Sequence, residues 1–126
     1  MMSLKVLFAT VLGLFAFSEG LIRIENKSAI SPLSTTVVGS NMPVTWQVEA
    51  AELLTNVLQL YNTNNVRARA LSELFEATHI NYSWFVAVNS SYIYNPLSSY
   101  YCQLRTETTS GNTTNIQDFV VFAGNS

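Results

Sequence analysis

The strongest pattern in the sequence is a one-sided helix that follows Pro43. Apolar side chains recur at intervals of three and four residues, and polar side chains occupy the other face. Pro43 and Thr45 mark the start of this helix, and the polar residues 62–65 end it. The helix needs an apolar surface to cover it, because each large buried side chain contributes about 1.5–3 kcal/mol. The apolar stripe consists of Ala50, Leu53, Leu54, Val57, Leu58 and Tyr61, and the polar face of Glu49, Glu52, Thr55, Asn56 and Gln59.

Short β-branched and aromatic runs supply a surface of this kind. They are bounded by turn-forming residues, as strands usually are, and residues 108–115 form a polar hairpin tip. We therefore predict an α+β fold, with one long amphipathic helix packed on a curved antiparallel sheet of about four to five strands. The strand-like runs are residues 35–38, 84–88, 92–94, 99–106 and 116–122.

Residues 66–78 fit two structures. Ala68, Leu71 and Phe75 share one face of a helix, whereas Leu71, Glu73, Phe75 and Ala77 alternate as in a half-exposed strand. The sequence leaves this segment open.

The first 18 residues have the form of an export signal. Lys5 precedes an uncharged run at positions 6–17, which is too short to span a bilayer as a mature helix. Small residues place the cleavage site after Ser18 or Gly20. We expect a secreted, extracellular protein with no membrane attachment after cleavage. A flexible lead segment at residues 19–34 would then precede a single domain at residues 35–126.

Composition argues against several classes of function. The chain has 6 basic and 8 acidic residues, whereas nucleic-acid binding needs a basic surface. One Cys and one His cannot form a zinc site or a disulfide framework, so we expect no metal and no cofactor. Cys102 is either buried or paired with another chain. Burial is the favoured interpretation, because Cys102 lies in a strand-like run and free Cys behaves as a small hydrophobe.

No group of residues predicts catalysis, and we expect the protein not to be an enzyme. A Ser-His-Asp site would need both His79 and Asp118, and a thiol dyad would need His79 beside Cys102, yet no nucleophile motif surrounds them. Two carboxylate pairs are typical of solvated helix faces, namely Glu49 with Glu52 and Glu73 with Glu76. Alternation on strands would bury about half of the aromatic residues that could line a binding surface, which are Tyr82, Trp84, Tyr92, Tyr94, Tyr100 and Tyr101.

Four sequons give the predicted export a further consequence, because an exported chain meets the glycosylation machinery. We expect at least two to carry glycans, which would place them on the surface. The acceptors are Asn26, Asn81, Asn89 and Asn112.

The order of elements between residues 37 and 122 resembles that of a cystatin, a secreted inhibitor whose sheet wraps one long helix. Val37-Val38-Gly39 is similar to the N-terminal Val-Gly element of that family, and the helix ends in Tyr61-Asn62, as it often does there. Residues 71–78 are similar to its second strand. The resemblance implies a monomer that binds a papain-like cysteine protease, with contact residues Gly39, His79, Ile80, Asn81, Tyr82 and Ser83.

The inhibitory signature of the cystatins is nevertheless missing. Residues 79–83 lack the Gln-x-Val-x-Gly of the first hairpin, residues 108–112 lack the Pro-Trp of the second, and the paired cysteines are absent. A glycan on Asn81 would also stand in the way of an enzyme cleft. We therefore expect inhibition to be degenerate or lost, since it rests on fold analogy alone.

Residues 36–84 are also similar to the dynein light chain family, whose dimers bind peptides. Asn81-Tyr82-Ser83-Trp84 resembles its Asn-Pro-Thr-Trp, and residues 119–124 resemble its last strand. A helix at residues 66–78 would favour this family and a strand would favour the cystatins. Export and Cys102 favour the cystatins, and residues 84–104 are too few for the exchanged strand of the light chains. A secreted glycoprotein that recognises an unknown partner is the third alternative.

Overall fold

The computed structural model describes residues 14–18, 21–26, 33–89 and 100–124. The described residues are α+β, as predicted, but they contain two helices where the sequence led us to expect one. In chain order the elements are β1 (Leu14–Ser18), β2 (Leu21–Asn26), β3 (Leu33–Ser40), α1 (Val44–Leu60), α2 (Asn64–Thr78), β4 (Ser83–Val88), β5 (Tyr101–Ser110) and β6 (Thr113–Gly124). The expected strand at residues 92–94 lies outside the described residues.

All six strands form one open antiparallel sheet in the order β1-β2-β3-β5-β6-β4. The sheet is larger than predicted because two strands precede β3. β1 falls within the predicted export signal, and β2 falls within residues 19–34, which were expected to be loose. Within that segment β2 is a regular strand, in which Ile22 and Ile24 alternate into the core and are buried.

Helix α1 confirms the predicted amphipathic helix, but part of its polar face is buried. Leu53, Leu54 and Val57 lie in the core, as the periodicity predicted. Thr55 and Asn56 were expected to face solvent, yet both are buried. Thr55 Oγ1 donates to Thr35 Oγ1 at 2.8 Å, so this threonine joins the helix to β3.

Residues 66–78 are helical and lie within α2. Leu71 and Phe75 are fully buried, while the Glu73 side chain keeps 67% of its exposure. Strand alternation would have placed Glu73 on the same face as Leu71 and Phe75, and burying an unpaired carboxylate is costly. The helix places Glu73 outside instead. Arg67 Nε donates to Tyr61 O at 2.7 Å, which satisfies a carbonyl just beyond the end of α1.

The β5–β6 hairpin is longer and tighter than predicted. The strands reach Ser110 and restart at Thr113, so the polar tip expected at residues 108–115 is reduced to Gly111 and Asn112. Gly111 has φ +62°, and glycine adopts that conformation at little cost as the first residue of a two-residue hairpin turn. The flanking threonines favour strand, because β-branched side chains pack well across a pair such as Thr109–Thr114.

A single core lies between one face of the sheet and both helices. Successive side chains on a strand point to opposite faces, so the buried residues of β4, β5 and β6 identify the covered face. The opposite face of these strands carries no described helix. Fully buried core side chains include Leu54, Val57, Leu71, Phe75, Leu104, Phe119 and Val121.

Candidate functional site

The predicted contact residues His79 to Ser83 span the turn between α2 and β4 and the first residue of β4. The His79 N–H donates to Phe75 O at 3.0 Å and closes the end of α2. Trp84 Nε1 donates to His79 O at 3.0 Å, which joins the turn to the first residues of β4. Ile80 is 80% exposed at the tip. The turn is therefore held firmly at both ends and presents an apolar side chain to solvent.

His79 sits in an aromatic cluster and is bonded to a carboxylate. Its ring lies 4.2 Å from that of Trp46 and 4.6 Å from that of Phe75. His79 Nε2 is 2.8 Å from Glu49 Oε2, and Thr78 Oγ1 donates to Glu49 Oε1 at 2.6 Å. Glu49 thus ties α1 to the end of α2. The lone His and the first member of a carboxylate pair were visible in the sequence, but their pairing was not.

The catalytic arrangements considered from the sequence are not assembled among the described residues. Asp118 accepts from Arg105 Nε at 2.9 Å on the β5–β6 pair, whereas His79 binds Glu49. Cys102 is a free, fully buried thiol, which confirms the buried interpretation. Burial raises the pKa of Cys102 to about 12, and a hydrogen bond with Ser40 offsets only part of that shift. A thiol with this pKa is a poor nucleophile at neutral pH.

The two carboxylate pairs have different surroundings. Burial, and to a lesser degree the charge of Glu49, raises the pKa of Glu52. Glu73 accepts from Arg69 at 3.2 Å in an exposed i,i+4 pair. Neither pair forms two carboxyls facing across a cleft.

Gly39 lies at the same end of the sheet as the His79–Ser83 turn. It pairs with Gln103 beside an irregularity in β3, and a Cβ there would lie 3.0 Å from Gln103 Oε1. Just beyond, Tyr101 N donates to Asn41 Oδ1 at 2.8 Å. Ser83 begins β4 at this end, opposite Gly124 of β6. The β5–β6 turn lies at the other end, roughly 23 Å from Gln103 at the usual rise of a strand.

A shallow cleft of about 260 Å³ opens beside this turn. The exposed Ile80 and Asn81 form part of its wall, so a glycan on Asn81 would stand over the cleft. Its lining comprises Trp46, Thr78, His79, Ile80, Asn81 and Tyr82.

Three of the four sequon asparagines have described side chains, and all three are exposed. Asn81 is in the turn before β4, and Asn112 is in the β5–β6 turn. Asn89 follows β4 with φ +52°, and its Oδ1 accepts from Asp118 N at 2.9 Å. A glycan attaches to Nδ2, so this hydrogen bond leaves the attachment atom available. The side chain of Asn26 lies outside the described residues.

β4 is an edge strand of the described sheet, and among the described strands its only neighbour is β6. The N–H of Asn89, just after β4, donates to Asp118 O of β6 at 2.7 Å. The N–H of Ala123 on β6 donates to Tyr100 O, on the side of β5, at 2.9 Å. In an antiparallel pair the bonded positions alternate, so the backbone groups of Trp84, Val86 and Val88 point away from β6. Ser72 Oγ on α2 donates to Trp84 O at 2.8 Å. Among the described residues no strand pairs with the outward groups of Val86 and Val88, and this side of β4 is the open edge of the described sheet.

A row of aromatic side chains crosses the helix-free face beside this edge. Phe85 pairs with Phe122, which pairs in turn with Tyr101. The Phe85 and Phe122 rings stack at 5.6 Å, and Phe85 and Tyr101 are 49% and 39% exposed. A Cβ at Gly124 would lie 2.6 Å from Phe85 Cε2, so this glycine makes room for the ring. The sequence predicted these strands, but it did not predict the register that places Phe85, Phe122 and Tyr101 side by side.

No cluster of three or more metal-ligating side chains occurs within residues 14–18, 21–26, 33–89 and 100–124. Of the described helices, neither α1 nor α2 has the length and hydropathy needed to cross a bilayer. No family model, no curated protein and no solved structure matches the chain.

Proposed function

We propose that this protein is a non-enzymatic interaction module that takes up an extended segment of a partner protein along β4. The observation that carries the proposal is the outward direction of the Val86 and Val88 backbone groups at the open edge. A peptide that adds a strand gains affinity from main-chain hydrogen bonds and specificity from alternate side chains. Phe85, exposed on the adjoining face, offers apolar contact to such a segment.

The helical state of residues 66–78 supports this proposal over protease inhibition. The sequence had left that segment to discriminate between the two resemblances, and a helix favours the peptide-binding light-chain family. Leu71 and Phe75, which share one face of this helix, are fully buried. The Trp84 of the Asn81-Tyr82-Ser83-Trp84 stretch is buried at the start of the open strand.

A library of random peptides displayed on phage, selected on the purified protein, tests the proposal. Val86→Pro removes an N–H that faces the open edge and leaves the hydrogen bonds between β4 and β6 in place. An edge strand tolerates proline at such a position. Val86→Thr is the matched control, because it keeps both the N–H and the branched side chain. Losing one bond and leaving the peptide carbonyl unpaired should weaken selected peptides by about tenfold or more.

The two variants separate binding at the edge from general damage. We expect Val86→Thr to bind the selected peptides as the unaltered protein does, with both variants folded by circular dichroism. Failure to enrich any peptide, or equal binding by folded Val86→Pro, would contradict the proposal.

Inhibition of a papain-like protease is the second candidate, and one observation favours it. Gly39 and the His79–Ser83 turn lie at the same end of the sheet, with Ile80 exposed at the tip. The second hairpin lies at the other end, so a wedge of three elements is not available on this geometry. Micromolar inhibition of papain by the deglycosylated protein, abolished by Ile80→Asp, would favour this candidate over peptide binding.

A further inference from the structure

The predicted cleavage site lies between two paired strands. β1 and β2 pair antiparallel from Ser18 opposite Leu21 to Leu14 opposite Glu25, and only Glu19 and Gly20 separate them in the sequence. Cleavage after Ser18 or Gly20 would cut the covalent link and remove β1 with the export signal. β2 would then become the edge strand, with the backbone groups that had paired with β1 exposed.

The edge created in this way carries two opposite charges. Ile22 and Ile24 are buried on the core face, and Arg23 and Glu25 alternate with them on the other face. Arg23 Nε lies 2.9 Å from Glu25 Oε1, and its side chain is 45% exposed. In the uncleaved chain the residues opposite Arg23 and Glu25 on β1 are Ala16 and Leu14, which carry no charge.

We infer that the mature chain pairs β2 antiparallel with β2 of a second copy, with Ile24 at the two-fold axis. In this register Arg23 lies opposite Glu25 of the second copy, and Glu25 lies opposite Arg23. Opposite charges directly across an antiparallel pair stabilise it, and like charges destabilise it. The contact uses the same patch on both copies and closes on itself, as a two-fold interface must.

The inference departs from the monomer expected from the sequence, and it rests on the predicted export. The β2 dimer is independent of peptide binding, because β4 lies at the opposite edge of the sheet. Each copy would contribute β2, β3, β5, β6 and β4 to one continuous sheet.

The test begins with the protein secreted by eukaryotic cells. Mass spectrometry establishes its N-terminus, and sedimentation velocity over a wide range of concentration measures its association. We expect a start at residue 19 or 21 and a reversible dimer. Arg23→Glu and Glu25→Arg each place like charges across the axis and should each weaken the dimer by about tenfold, the double exchange should restore it, and circular dichroism checks folding.

Several results would overturn the inference. These are a secreted chain that retains residues 14–18, a monomer at every concentration, single variants that associate like the unaltered protein, or a double exchange that fails to restore association. Asn26 would lie opposite Ile22 of the second copy, so Asn26→Gln is measured alongside. A dimer seen only with Asn26→Gln would mean that a glycan blocks the edge, and the inference would fail for the secreted protein.

Discussion

Two neighbouring buried polar side chains on α1 should respond in opposite directions to apolar replacement. Thr55 Oγ1 donates to Thr35 Oγ1 at 2.8 Å, and it also lies 2.7 Å from Ala51 O. The Nδ2 and Oδ1 atoms of Asn56 are buried with no hydrogen-bond partner in the described structure. A buried polar group without a partner costs about 1–3 kcal/mol, whereas a satisfied bond contributes about 1 kcal/mol.

Asn56→Leu keeps the number and branching of side-chain heavy atoms and removes both unpaired groups. Taking about 1 kcal/mol for each group, we expect the free energy of unfolding to rise by about 2 kcal/mol, or roughly 8 °C in Tm for a chain of this size. Thr55→Val breaks the bond to Thr35 and leaves a buried hydroxyl unpaired, so it should lower the free energy by about 1–3 kcal/mol.

Urea denaturation followed by circular dichroism measures both variants. Gln59→Leu, on the exposed part of the same helix, controls for adding a leucine to α1 without burying it. The higher helix propensity of leucine over asparagine is worth only about 0.5 kcal/mol. If Asn56→Leu destabilises the protein, or if both variants shift stability in the same direction, the assignment of Asn56 as an unpaired buried amide is wrong.

Three further predictions concern single residues. Cys102 should react with iodoacetamide at pH 8 only after unfolding. Its folded pKa of about 12 exceeds the ordinary 9.0, so its contribution to stability is complete below pH 9 and is lost as the pH rises towards 12. In urea titrations between pH 8 and 10.5, a Cys102→Ala variant should therefore lose less stability than the unaltered protein. Gly111→Ala forces a Cβ into a turn with φ +62° and should lower the free energy of unfolding by about 1 kcal/mol, measured against Asn112→Ala. Glu49→Ala removes the acceptor of Thr78 and the partner of His79, so it should lower the free energy of unfolding by about 1 kcal/mol and change the near-UV circular dichroism of Trp46. Glu76→Ala, the control, should leave the free energy of unfolding and the spectrum unchanged.

The amphipathic helix α1, the later strands and the buried Cys102 could be predicted from the sequence because each depends on local periodicity or on residue type. Residues 66–78 could not be assigned, because Leu71 and Phe75 fit a helix face and a strand face equally well. The exposure of Glu73 decides between them, and it depends on where the sheet lies. β2 was missed for a similar reason, since its alternation is short and its pairing with β3 is a contact between distant segments of the chain.

The candidate site could be predicted only in part. Gly39 and the turn at residues 79–83 were named from a resemblance, and they do lie at one end of the sheet. The open edge of β4 depends on strand order, and the row formed by Phe85, Phe122 and Tyr101 depends on register across three strands. Strand order and register arise from packing over long sequence separations, so no single stretch of the sequence encodes them.

Amide hydrogen exchange of the mature protein with and without a selected peptide tests strand addition at β4 most directly. The N–H groups of Val86 and Val88 face the open edge, whereas those of Phe85 and Ala87 already bond to β6. We predict that the peptide slows exchange at Val86 and Val88 much more than at Phe85 and Ala87. Equal slowing at all four amides, or no slowing at Val86 and Val88, would contradict peptide binding along this edge.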